Sequence, residues 1–151
     1  MDALPIACGG FLLAVLWFDL MFDVQVLHHR DGELPDPVLR SIADYYRRVT
    51  VEARPMGHAV GLVMVVALAA LVVQLIAGRV PVWVSVVSLT LVAAPVALAA
   101  RRILPDAMRL GWRSDPVAVQ SELARRICRG HAYCFASIAA FLVVQLAATT
   151  R

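Results

Sequence analysis

The chain has 151 residues, 61% of them hydrophobic and 17% charged, with a formal net charge of +3 and a mean hydropathy of +0.76. A soluble domain of this length does not carry so much apolar surface, so the composition excludes an ordinary soluble fold and points to an integral membrane protein. The positive balance does not read as nucleic-acid binding, because all fourteen basic side chains are arginines and twelve cluster in two connections between apolar stretches.

Apolar stretches of about 20 residues, the length that crosses a bilayer, occur at 5–27, 56–77, 80–100 and 130–148. They predict an all-α fold, a four-helix transmembrane bundle forming one membrane domain over 1–151. No basic residue precedes the first span, which is expected to remain in the protein rather than be cleaved as a signal peptide. Arginines crowd the 27–55 and 101–129 connections, against only Arg79 and Arg151 on the other side. By the positive-inside rule both connections are expected in the cytoplasm and both termini on the far side of the cell membrane. Cys8, Cys128 and Cys134 are too few and too scattered for a disulfide framework.

The first span carries Asp19 and Asp23, four residues apart and therefore on one helical face. An ionisable group at membrane depth is costly, so it faces a partner or an aqueous cavity. After His28-His29-Arg30 comes a turn-rich loop, and Asp36-Pro37 reads as a helix start with Asp36 as N-cap and Pro37 as the first helical residue. Val38, Leu39, Ile42, Tyr45, Tyr46, Val49 and Ala53 recur at helical spacing against Arg40, Asp44, Arg47 and Arg48. That pattern predicts an amphipathic helix over 37–54, at the cytoplasmic membrane surface or leading into the second span. Pro55 predicts a kink at the membrane entry. His58 stands near the start of the second span and Gln74 near its end, and the third span is expected to bend at Pro95. Asp115-Pro116 repeats the start signal and opens a long last helix, whose first turns hold Glu122, Arg125, Arg126 and Arg129.

Counted at about 1.5 Å per residue from the span ends, Asp23, His58 and His131 fall at one level, with Asp19 one turn deeper. Asp19, Asp23, His58 and His131 are therefore the candidate catalytic residues, supplying acid and base groups to a lipophilic substrate. Arg54, Arg101, Arg126 and Arg129 are the candidates for holding an anionic or phenolate group. Other readings stay open: structural salt bridges and interhelical hydrogen bonds, a metal such as iron or zinc on Asp23, His58 and His131, or a b-type haem between His58 and His131. The sequence does not fix a cofactor. Cys128, His131 and Cys134 share one broad helical face, where cysteines serve either as packing residues or as ligands. A small transporter or an accessory subunit is the non-enzymatic alternative. The outer half, however, offers only Gln74, Gln145 and hydroxyls such as Ser85, Ser88 and Thr90, which favours a one-sided pocket over a through-pore.

The four-span layout, Pro105 beyond the third span, and the run Arg125-Arg126-Ile127-Cys128-Arg129-Gly130-His131 resemble the small four-helix membrane proteins grouped with bacterial anthrone oxygenases. Three positions past the histidine, where that pattern has Arg, this chain has Cys134. The resemblance implies an oxygenase-like activity on a lipophilic, phenolic molecule. The expected partners are membrane lipids, such a small molecule and, in one reading, further copies of the chain.

Overall fold

Inside a bilayer a backbone must satisfy its own hydrogen bonds, so uninterrupted apolar stretches become helices. A computed structural model describes residues 3–29 and 31–149, with the side chains of Arg54 and Thr149 outside the described set. Helix α1 (Ala3–Asp23) is prolonged by a tight turn over Val24–His28, and α2 (Asp36–Arg47) follows a loop. A wider π-type turn, Arg48–Glu52, leads to α3 (Arg54–Ile76). Next come α4 (Val82–Leu98), a second π-type turn (Ala99–Ile103), α5 (Leu104–Trp112) and α6 (Val117–Thr149). There is no strand among the described residues.

The protein is an all-α four-helix bundle. Helix α1 packs on α3 and α6, and α4 packs on the same two, giving the ring order α1, α3, α4, α6 with antiparallel neighbours. The outward faces of the four helices are apolar: Leu62, Val65, Val82 and Val143 are exposed, and Ile76 is 80% exposed. Such a belt is stable against lipid and not against water, which makes this a multi-pass membrane protein.

Helix α6 has 33 residues. At 1.5 Å per residue that is about 50 Å, against about 30 Å of hydrocarbon, so its first third projects beyond the bilayer. Around that projection Leu123, Ala124 and Ile127 pack with Leu39, Ile42, Ala43 and Tyr46 of α2 and with Ala107 and Leu110 of α5. These three segments form a small head at one end of the bundle. Gly111 of α5 makes the closest approach there, since a Cβ on it would lie 3.0 Å from the backbone nitrogen of Arg47.

Several expectations from sequence are corrected by this packing. The amphipathic helix expected over 37–54 is α2 with the π-type turn that follows it, helical over 36–52 and leading into the second span, and its apolar face docks on α5 and α6. The helix of the third span continues past residue 100. It runs through the π-type turn into α5, where Pro105 occupies the first turn and the wider turn before it accommodates a residue with no N–H. Pro55 likewise falls in the first turn of α3. Asp36 is the first residue of α2, not its N-cap, and its carboxylate bonds the guanidinium groups of Arg40 and Arg113.

The loop before α2 is tied down from α6. Arg125 donates to the carbonyls of His29 and Gly32 at 2.9 and 2.7 Å, and Ser121 Oγ accepts from the Leu34 N–H at 2.9 Å. At the far end of the bundle the Gln74 and Gln145 amides exchange bonds of 3.3 and 3.1 Å, and Gln145 also donates to Ser88 at 2.9 Å. These buried amides join α3, α4 and α6 within the apolar layer.

Candidate functional site

The partners of the two intramembrane aspartates come from α6 and from α2. One turn apart on α1, Asp19 and Asp23 point at the seam that α6 closes and α2 covers. His131 Nδ1 lies 2.7 Å from Asp23 Oδ2, and the Tyr46 hydroxyl donates to Asp23 Oδ1 at 2.6 Å. The Tyr45 hydroxyl donates to Asp19 Oδ1, also at 2.6 Å. His131 Nε2 then faces Asp19 Oδ2 across 3.8 Å. Asp23 is fully buried, Tyr46 and His131 nearly so, while the Asp19 side chain keeps 14% of its surface.

Neighbouring rings fix the tyrosines. Phe22 stacks on Tyr45 with ring centres 4.1 Å apart, Tyr45 meets Tyr46 edge-on at 5.3 Å, and Tyr46 Oη also sits 3.3 Å from His131 Nδ1. Burial raises the Tyr45 phenol above its ordinary value, and the Asp19 charge adds to the effect. Burial does the same for Tyr46, with Asp23 and then Asp19 adding to it. Both tyrosines therefore stay protonated and act as fixed donors.

The chemistry follows from which nitrogen is engaged. The 2.7 Å contact assigns a proton of His131 to Nδ1, donated to Asp23 Oδ2, which sets the ring orientation and turns Nε2 toward Asp19. A separation of 3.8 Å is too long for a direct hydrogen bond, and one hydroxyl or water set to the side of the pair, about 2.8 Å from each, would reach both groups. A hydroxyl lodged there can donate to Asp19 Oδ2 and accept from Nε2–H of the imidazolium form of His131, the form that carries N–H on both ring nitrogens.

Not every residue singled out by sequence reaches this cluster. Asp19, Asp23 and His131 are brought together. His58 is not: it is exposed, and no hydrogen bond or ion pair among the described residues joins it to the others. Rise per residue sets a level, not a direction. Position 58 precedes the buried Ala67 by nine residues, about two and a half turns, and so points to the opposite side of α3. Arg101 is exposed and the side chain of Arg54 lies outside the described residues. Arg126 balances Asp106 at 3.6 Å and Glu122 at 3.3 Å, and with Arg129 it lines a separate groove toward α4 and α5. Tyr45 and Tyr46 complete the site, although their sequence spacing marks them only as part of an apolar helical face. The one available signal is that two phenols sit on that face in a chain whose buried acids need donors.

The residues do not fit the metal and haem alternatives. Among the described residues no three His, Cys, Asp or Glu side chains are arranged to hold a metal ion. The set Asp23, His58 and His131 is broken by the outward turn of His58. For a bis-histidine haem the same residue faces away, and both ring nitrogens of His131 are turned to carboxylates. Cys128 and Cys134 are buried packing residues, Cys134 Sγ approaching the Pro95 carbonyl at 3.9 Å.

Fold and site together define a multi-pass helical membrane protein with a buried carboxylate, imidazole and phenol cluster beneath a helical head. Comparison with protein-family models, with curated proteins and with solved structures returns no match.

Proposed function

We propose that this protein is an enzyme performing acid/base chemistry, at the boundary between bundle and head, on a lipophilic molecule with an acidic hydroxyl such as a phenol. Asp19 accepts the hydroxyl proton, and His131, as an imidazolium with Nδ1–H on Asp23, stabilises through Nε2–H the oxyanion that develops. Asp23 and Tyr46 orient the imidazole, and Tyr45 orients Asp19. The observation that carries this reading is the 3.8 Å gap between His131 Nε2 and Asp19 Oδ2, with every other polar atom of those two side chains already engaged. Asp19 keeps the exposure that an incoming molecule would need, and the neighbouring seam between α1 and α6 is lined by Trp17 and Phe135, with ring centres 6.1 Å apart. The resemblance carried by Pro105 and Arg125–His131 supports a phenolic substrate of the kind an oxygenase-like enzyme would take.

An alkyl-tailed nitrophenol tests the site, because its phenolate is coloured. In lipid nanodiscs the protein is expected to bind the probe saturably and favour the phenolate. Asp19→Asn and His131→Gln are each expected to weaken that by about ten- to a hundredfold, the effect of losing one bond to a charged group. An identical spectrum and affinity in wild type and both variants would end the proposal. The crowding of arginines at the head supports a cytoplasmic head and outer termini in the cell membrane. On a cysteine-free background, Gly32→Cys and Ser114→Cys should then resist an impermeant thiol reagent added from outside; labelling from outside would reverse the orientation.

A further inference from the structure

Two helices place arginines at the same membrane boundary on a face that the acid/base cluster does not use. Counting about 20 residues of span from Val82 along α4 ends at Arg101 and Arg102. Counting back the same length from Thr149 along α6 ends at Gly130 and Arg129. Arg102 and Arg129 meet there in one groove of about 250 Å³, with Arg126 and Asp106 further along it toward the head. Its apolar lining comes from Leu98, Ile103, Ile127 and Tyr133. Gly130 lets α6 close on the opposite wall, since a Cβ there would lie 2.9 Å from Ile103 Cδ1.

We propose that this groove binds the phosphate of an anionic phospholipid between Arg102 and Arg129, with the start of an acyl chain along Leu98 and Tyr133. The charge is complementary: three guanidinium groups line the groove against the single carboxylate of Asp106, and that carboxylate is already matched to Arg126. Arg102 and Arg129 are exposed and form no ion pair among the described residues. The depth is also complementary, because arginines at the end of a span stand where lipid phosphates lie, and basic pockets between transmembrane helices take anionic headgroups. The apolar lining continues from that level toward the bilayer, which a free anion would not require.

The test is titration of the purified protein, in uncharged detergent, with dioctanoyl phosphatidylglycerol, dioctanoyl phosphatidylcholine or inorganic phosphate, read as bound adducts by native mass spectrometry. Wild type is expected to bind phosphatidylglycerol about tenfold or more tighter than phosphatidylcholine, and Arg102→Gln/Arg129→Gln is expected to lose that preference. Arg48→Gln/Arg79→Gln removes the same charge from exposed positions elsewhere and should keep the preference. The thermal midpoint without lipid, expected to be equal in all three proteins, reports on folding. The proposal is overturned if wild type shows no preference, if both double variants lose it equally, if the groove variant retains it, or if inorganic phosphate displaces the lipid at similar concentration. None of these outcomes touches the phenolate assay, which depends on Asp19 and His131.

Discussion

The two tyrosines of α2 make identical bonds to different carboxylates, and burial separates what those bonds contribute. Tyr46→Phe leaves Asp23 Oδ1 without a donor in a fully buried site, where an unsatisfied acceptor costs about 1–3 kcal/mol. Tyr45→Phe leaves Asp19, which keeps 14% exposure and can recruit water, so the loss is expected to be smaller. Unfolding in mixed micelles is the measurement, and an equal effect of the two substitutions would contradict the assigned burial. The same pair sets an alkaline limit. Each phenol has a folded pKa above its unfolded value of about 10, so the stability it confers is complete below that pH and is lost as pH rises beyond it. Tyr46→Phe should therefore flatten the decline above about pH 10 relative to wild type. The aspartates and His131 were legible in sequence because charge inside an apolar span is conspicuous. The tyrosines were not, because a phenol on an amphipathic face reads as packing until its neighbour is known.

At the level of elements, the head depends on a contact that hydropathy cannot reveal. The four spans were legible, since length and apolarity alone identify them, and so was the amphipathic character of α2. Its docking partner was hidden: α5 continues α4 through the π-type turn, and the apolarity that identifies the third span does not show that its helix goes on past Arg102 and Pro105. The pairing rests on Gly111 lying against the backbone of Arg47, where no side chain can yield to an added group. Gly111→Val is expected to push α2 off α5, destabilising the head by about 1–3 kcal/mol as overpacking does. Because α2 carries both tyrosines, the substitution should also weaken the phenolate signal while leaving the bundle helical by circular dichroism. Proteolysis between residues 48 and 54 is the direct readout, and a wild-type cleavage rate would show that α2 is held by something other than this contact. Asp36 bonds Arg113 just past the end of α5, and that bond with Arg113, then the Arg40 charge, holds its carboxyl below the ordinary value. Its contribution is present above the unfolded value of about pH 4 and is lost as the pH falls below it.

Across the whole molecule, polarity is distributed so that one end can exchange protons and the other cannot. The Asp19, Asp23 and His131 cluster lies under the head, whereas residues 59–76, 82–100 and 132–149 contain no Asp, Glu, His, Lys or Arg. In the far half Gln74, Gln145 and Ser88 bond together, Thr90 bonds the Val86 carbonyl, and Leu71 and Phe141 are fully buried in the adjoining core. A proton leaving Asp19 toward that end would meet a continuous apolar layer with no ionisable group to receive it, and bilayer-depth charge movement requires such a relay. Liposomes loaded with the purified protein and a pH-sensitive dye are therefore expected to hold an imposed pH gradient as long as empty liposomes do. A leak abolished by Asp19→Asn would make the cluster one station of a transmembrane proton path. It would also require water to pass the Gln74–Gln145 pair, and Gln145→Leu would then be expected to suppress the leak by making that layer more apolar. If instead the gradient holds while the phenolate signal is present, proton exchange at Asp19 is confined to the head side, as a one-sided enzyme site demands.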